Sequence, residues 1–281
     1  MDDTAFFTFE PKPLQTICIE FLVGNLDIYQ SLHTLPVTVA QEIFIAADHN
    51  NQFSIPSTTV FKRLELFSST FTKYFVSSLS LRHSSHLINY LSSEFTVFSG
   101  VTSLDLSHCK LGDRHSILSQ LNYFTNLTLL ALRDNGLSHR GIDHMTISLR
   151  LLRGGQRNLQ YLDISDNQDL DACCLEYLKV FSELKYLDIS NTAISNKDSA
   201  LRKFPLKIFL SSTKVDYEDI KEDMFRIETL GWASHVFNSW SKWYKNKTKR
   251  SKHRQYAPYP KKKMKKTKNK GRGNFQLILI K

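Results

Sequence analysis

The chain has 281 residues and a formal net charge of +10, divided sharply along its length: no acid follows Glu228, and 16 lysines and arginines lie from Thr229 onward. The first 228 positions hold the other 21 bases against all 27 acids, a net of −6, so a mildly acidic body carries a strongly basic tail. Cys18, Cys109, Cys173 and Cys174 offer neither zinc spacing nor a paired disulfide framework, and neither a basic leader with an apolar run nor about 18 consecutive apolar residues occurs. A reducing compartment is expected, without secretion or a membrane span.

Three amphipathic helices are predicted first: Leu14 to Val23, Pro36 to Ala47 with Pro36 at a tolerated first-turn position, and Thr58 to about Tyr74. Residues 1–75 are expected to form a helical N-terminal cap over the open core that follows. Within them Pro13, Leu14, Cys18 and Leu22, in PLQTICIEFL, resemble the box by which substrate receptors of cullin ubiquitin ligases hold elongin C. That box is a short helix whose Leu and Cys enter an apolar pocket. Leu35, Pro36, Val39 and Ile43, in LPVTVAQEI, resemble the accompanying cullin-2 box, in the same order and proximity. The alternative is two ordinary buried helices, because a leucine, a cysteine and an aliphatic residue at spacings of four occur in many cores.

An eleven-residue pattern then recurs: VTSLDLSHCKL from Val101, LTLLALRDNGL from Leu127, LQYLDISDNQDL from Leu159 with one extra residue, and LKYLDISNTAI from Leu184. These resemble leucine-rich repeats. Degenerate units are assigned at Val76, with Leu79 and Leu81, and at Pro205, with Ile208, Leu210, Thr213 and Val215, giving about six repeats over residues 76–215. The fourth and sixth positions alternate with polar residues, as a short strand with one buried face requires. Leu104, Leu106, Leu130, Leu132, Leu162, Ile164, Leu187 and Ile189 are therefore the expected inner core. The ninth positions, Cys109, Asn135, Asn167, Thr192 and Thr213, lie where the chain turns away and leaves backbone groups in need of partners. The longer third unit supplies a helix through Ile142, Met145, Ile147, Leu149 and Leu152, stopped at Gly154 and Gly155.

The concave face of such an array is the expected binding surface. Its fifth column reads Asp105, Ala131, Asp163, Asp188 and Phe209, its third includes Tyr161 and Tyr186, and Asp134 and Asp166 lie close by. An acidic stripe with aromatic bodies suits a basic protein segment. Alternatively the aspartates are generic, since LDLS and LDIS are common forms of the repeat. Helices are predicted at Tyr217 to Ile227 and Trp232 to Tyr244, the latter with Trp232, Val236, Trp240 and Trp243 near one face. Residues 216–245 are assigned to a C-terminal cap on the last repeat, with an exposed partner-binding helix as the alternative.

Residues 246–281 are expected to be a disordered basic tail. Its clusters, Lys247, Lys249, Arg250, Lys252 and Arg254, then Lys261, Lys262, Lys263, Lys265 and Lys266, suit an importin-read nuclear address, contact with DNA or RNA, or a fold-back onto the acidic face. No phosphate loop, dinucleotide fingerprint or nucleophile elbow occurs, and the ten histidines are scattered. Neither catalysis, a cofactor nor a bound metal is expected.

The runs VTSLDLSHCKLGD, SHRGIDHMT, LDISDN, SLHTLPVTVAQEIFIAA and GWASHVFNSW together resemble the leucine-rich repeat-containing protein 42 family, over roughly Leu14 to Trp243. The resemblance implies an intracellular, nuclear repeat protein with a basic C-terminal region and no catalytic assignment. The combined reading is an α/β chain forming a right-handed leucine-rich repeat solenoid with helical N- and C-terminal caps. Its expected role is a non-enzymatic protein-protein interaction scaffold in the nucleus, with the cytoplasm also open. A substrate receptor of an elongin/cullin-2 ligase and a tail-mediated nucleic-acid binder are the alternatives.

Overall fold

A computed structural model of the chain describes residues 12–152, 158–195, 208–210 and 227–255. By its contacts the chain divides into Met1–Lys245 and Asn246–Lys281, and the sheet belongs to the first unit. Helices α1 (Leu14–Gly24), α2 (Val37–His49), α3 (Thr58–Thr70) and the single turn α4 (Thr72–Phe75) come first. α3 begins where extended Ser57 accepts a hydrogen bond from the Val60 N–H, satisfying one of the donors that a helix start leaves unpaired. α2 buries Ala40, Ile43, Phe44 and Ala47, whose spacings of three and four put them on one face. Phe44 stacks on Phe53 with ring centroids 5.0 Å apart and meets Phe67 edge-on at 5.1 Å.

Six strands of three residues form one parallel sheet whose spatial order is the chain order: β1 (Ser78–Ser80), β2 (Ser103–Asp105), β3 (Leu129–Ala131), β4 (Tyr161–Asp163), β5 (Tyr186–Asp188) and β6 (Ile208–Leu210). Between them lie α5 (Ser85–Leu91), α6 (Ser116–Gln120), α7 (His139–Leu152) and α8 (Cys174–Leu178). Parallel neighbours need a crossover, and among the described residues each of these helices lies between two successive strands. The eight residues assigned to the inner core are each at most 1% exposed. Ser138 opens α7 by accepting from the Arg140 N–H, and Asp113 holds Ser138 by accepting from both its N–H and its hydroxyl. Gly154 and Gly155 lie outside the described residues.

The last strand departs from the expected register by one residue. Phe209 pairs with Leu187, Ile208 with Tyr186 and Leu210 with Asp188, so Phe209 takes the register position of Leu187 rather than that of Asp188. In this degenerate unit Ile208, Phe209 and Leu210 are all apolar, and alternation cannot tell one register from the other.

The larger correction concerns the tryptophans. The segment expected to seal the last repeat instead sits at the first. Leu230 forms an antiparallel bridge with Ser78, the Ser77 N–H donates to Leu230 O at 3.0 Å, and the Leu230 N–H donates back to Ser78 O at 2.9 Å. The Trp232 and Ala233 N–H groups donate to Tyr74 O and Phe75 O. Helix α9 (Ser234–Gln255) follows, and its residues up to Tyr244 pack on the N-terminal helices and the first repeat. Trp240 is fully buried, donates from Nε1 to Phe53 O at 2.7 Å and meets Phe61 edge-on, while Phe237 meets Phe98 edge-on at 4.8 Å. An apolar stripe specifies that a helix face is covered, and not which element covers it.

This closure needs glycine at position 231. Its φ is +122°, and a Cβ there would lie 2.5 Å from Phe75 O and 2.8 Å from Val76 Cα. Gly231→Ala is expected to destabilise the fold by about 2 kcal/mol or more, and Trp240→Phe by about 1–3 kcal/mol through the orphaned Phe53 carbonyl. Gly24→Ala, where a Cβ meets nothing within 4 Å, is the control expected to change little. Urea unfolding of the three variants measures these differences; equal midpoints for all three would contradict the closure.

Candidate functional site

The strand face is built by the repeat's own turn chemistry. Asn135 Oδ1 accepts from the Cys109 and Leu111 N–H groups, and its Nδ2 donates to Leu106 O at 2.9 Å. Asn167 repeats the arrangement one unit later, accepting from the Asn135 and Leu137 N–H groups at 3.0 Å and donating to Leu132 O and Ile164 O. Cys109 substitutes a thiol that donates to Leu81 O, and the Thr192 hydroxyl donates to Ile189 O within its own unit. Burial pushes the Cys109 thiol up to about 12, so it serves as a structural donor and not as a nucleophile. Cys174, also buried, is likewise pushed up to about 12. Thr213 lies outside the described residues.

The expected acidic stripe is not displayed. Asp105, Asp163 and Asp188 are 2%, 3% and 0% exposed. Oδ1 of each accepts from the backbone N–H two residues on, at Ser107, Ser165 and Ser190, and in the last two units the serine hydroxyl also donates to it. Aspartate followed by serine two places later is an Asx-type turn device, which commits Oδ1 of the carboxylate to its own turn. The reading of these three residues as a groove for a basic segment is therefore corrected.

What the face does present is aromatic. Tyr161 and Tyr186, aligned in register, stack with centroids 4.4 Å apart and an interplanar angle of 3°, and both are half-buried. Burial, together with the neighbouring Tyr186 phenol, raises the Tyr161 hydroxyl above its ordinary value. Leu129 precedes them in the same column. Along the rim, the turn residues His83, His108, Asp134, Asp166 and Asn191 all have positive φ. Here Asp134 accepts from or pairs with His108 at 2.7 Å, Arg133 pairs with Asp166 at 2.5 Å, and Asn191 Nδ2 donates to Asp166. His83 and His108 stack at 4.4 Å. Asp134 and Asp166 thus lie at the rim as components of paired networks, and the histidine stack was not anticipated because the two residues are 25 positions apart.

The N-terminal helices give a second surface. Leu14 is 76% exposed, Ile17 49% and Phe21 64%, and Cys18 between them is exposed. These positions share one face of α1 at spacings of three and four. On the other side Ile19 and Leu22 pack against the core and Val23 is buried, so α1 is apolar nearly all round. In the second box Leu35 and Val39 are half-buried and Pro36 is exposed, but Ile43 is fully buried and belongs to the α2 core. The signal for an uncovered face was present in the run from Ile17 to Val23, which holds only one charged residue, Glu20.

Of the basic positions, Lys247, Lys249, Arg250, Lys252 and Arg254 lie on α9, whose backbone continues to Gln255 where disorder was expected. Lys261, Lys262, Lys263, Lys265 and Lys266 lie outside the described residues. Among the described residues, no group of three His, Cys, Asp or Glu is placed to hold a metal, and no helix is long and apolar enough to cross a membrane.

The family model described as a leucine-rich repeat matches residues 101–114. Leucine-rich repeat-containing protein 42 of Xenopus laevis is 34% identical over 234 residues, covering 83% of this chain and 55% of that protein. The Homo sapiens protein of the same name is 31% identical over 236 residues, covering 83% and 54%. The chain thus spans about half the length of the curated relatives it matches. A solved structure of leiomodin-1 actin-binding site 2 aligns at 12% identity, covering 72% of this chain and 100% of that one, with a TM-score of 0.38. The match is to a repeat family, and no catalytic family is indicated.

The amide column generates a stability test. Asn167→Ala leaves the Asn135 and Leu137 N–H groups and the Leu132 carbonyl without the partners that Asn167 supplies, at an expected cost of about 3–5 kcal/mol. Thr192→Ala removes two intra-unit bonds, to Ile189 O and a long one from the Ile194 N–H, and is expected to cost about 1–2 kcal/mol. Similar unfolding midpoints for the two would overturn this ranking.

Proposed function

This chain belongs to the leucine-rich repeat-containing protein 42 family, and we propose that it is a non-enzymatic protein-interaction scaffold. In this reading the repeats form a right-handed solenoid with its helical segments as caps, the concave strand face binds a protein, and the basic tail supplies a nuclear address. The observation that carries it is the half-exposed Tyr161–Tyr186 stack on a sheet face whose carboxylates are already engaged. Tyrosine offers large contact area with little conformational freedom to lose, and apolar and aromatic groups dominate interface energetics.

Affinity purification from cells, comparing the full chain, Tyr161→Ser with Tyr186→Ser, and a deletion of residues 246–281, tests the two halves separately. The tyrosine variant is expected to lose specific partners by about tenfold or more at unchanged location, while staying folded with a loss of about 1–2 kcal/mol from the broken cross-strand stack. The deletion is expected to keep those partners and to lose nuclear accumulation. Unaltered recovery with the tyrosine variant would remove the concave face from the proposal.

A second reading is favoured by one observation. Leu14 and Cys18 resemble the elongin-binding box, and both stand exposed on α1 instead of being consumed by the core. In this reading α1 binds elongin C, the Leu35–Val39 region contacts cullin-2, and the strand face receives substrate. Elongin C should co-purify with the full chain and fall about tenfold or more with Leu14→Ala and Cys18→Ala together. Absence of elongin at high expression sinks this reading and leaves the scaffold intact.

A further inference from the structure

We propose that the cleft between α3 and the 3-10 turns Phe95–Phe98 and Leu121–Tyr123 is a binding site for a neutral, polyhydroxylated ligand of pyranose type. Its volume is about 390 Å³, near the lower end of the roughly 300–1,000 Å³ typical of small-molecule sites. Space of that size suits a mono- or disaccharide. The proposal is independent of the scaffold and ligase readings, which use other surfaces.

The lining decides the ligand class. Six serine and threonine side chains face the cleft with Glu65, Tyr123 and Asn126, and Val97 is the one aliphatic residue among them. An apolar ligand therefore finds little to cover. No lysine, arginine or histidine lines it while Glu65 does, which disfavours an anion. A lone carboxylate is a poor cage for a hard divalent cation.

Three of the six hydroxyl donors, all on the α3 side, already have work inside the protein. Ser68 donates to Glu65 O, Ser69 to Leu66 O and Thr72 to Ser68 O at 3.0 Å. What these three offer a ligand is lone pairs, so along that wall the ligand must bring O–H donors of its own. Glu65 adds further acceptors, and the Asn126 amide can both donate and accept. Tyr123 is 59% exposed, leaving a ring on which the C–H face of a sugar can rest. One wall is fixed by Gly100, where a Cβ would lie 1.9 Å from Thr72 Cγ2, so the loop and α3 are in close contact.

The sugar could arrive free or carried on a serine of another protein, and the test separates these sources. Saturation-transfer NMR and calorimetry on the full chain use glucose, maltose, N-acetylglucosamine, a peptide bearing serine-linked N-acetylglucosamine, and the same peptide unmodified. Binding with a Kd on the order of 1 mM is expected for at least one free sugar. It should weaken about tenfold in Tyr123→Ala and in Glu65→Gln, at unchanged thermal unfolding because both side chains are exposed. A glycopeptide binding more tightly than the free sugar assigns the carried form; the reverse assigns the free one. The proposal is overturned by absence of transfer from every sugar at tens of millimolar, by binding that both variants leave unchanged, or by an unmodified peptide that binds as well as its glycosylated form.

Discussion

A strand of three residues turns away before its backbone is fully paired, and the buried amides of Asn135 and Asn167 supply the missing partners. Each faces backward, bonding the turn of the preceding unit, so that every repeat is completed by the next one. An unpaired buried N–H costs about 1–3 kcal/mol, which is more than a three-residue strand gains from any one ladder bond. The column therefore sets how far the stack can be continued. It weakens where the amide is replaced: at Cys109, whose thiol is a weak donor, and at Thr192, whose hydroxyl serves only its own unit among the bonds described here.

A stack completed from one side still has an edge to close. At β1 the open backbone is met by a segment about 150 residues away in sequence, with Ser78 Oγ donating to Glu228 O and the Ser80 N–H to Thr229 Oγ1. The aromatic side chains that follow then enter the same core as Phe44, Phe53 and Phe61. The protein is thus closed on itself at its first repeat by residues that come after its last, which removes an edge that could recruit another strand. Pairing so distant in sequence raises the entropic cost of forming the N-terminal core early, and slows folding relative to a stack with only neighbour contacts.

The repeat interior was legible because leucine at two alternating positions has one physical meaning when it recurs at near-constant spacing. Helix α1 begins where it was predicted, and α2 begins and ends within two residues of its predicted bounds, because period and capping are local. Three features were not legible, each for a different reason. The face around Trp240 declares that it is buried, but its partner is chosen by tertiary packing. Ile208, Phe209 and Leu210 satisfy either register. Aspartate at the fifth column reads equally as displayed charge or as turn chemistry, and only the serine two places on, shared by all three units, distinguishes them.

That last distinction changes which forces can give this protein selectivity. A displayed row of carboxylates would attract any basic segment over a long range, with strong salt dependence. With one oxygen of each strand aspartate held by backbone and serine donors and the carboxylates themselves buried, and with Asp166 paired to Arg133, few acceptor oxygens on the described strand face are left open to a ligand. On the proposed reading, recognition there would rest on shape and apolar contact, for which Tyr161 and Tyr186 are suited. The same reasoning applies more strongly to α1. Burying a leucine, isoleucine or phenylalanine side chain is worth about 1.5–3 kcal/mol, and three such residues with a cysteine among them stand on its outer face. A helix with apolar residues on both sides is stable in water only at a cost that a partner covering it removes, and that saving is available to any surface of matching shape. On the proposed scaffold reading, the outer face of α1 would for this reason contribute more to the strength of association, and the tyrosine pair more to its selectivity.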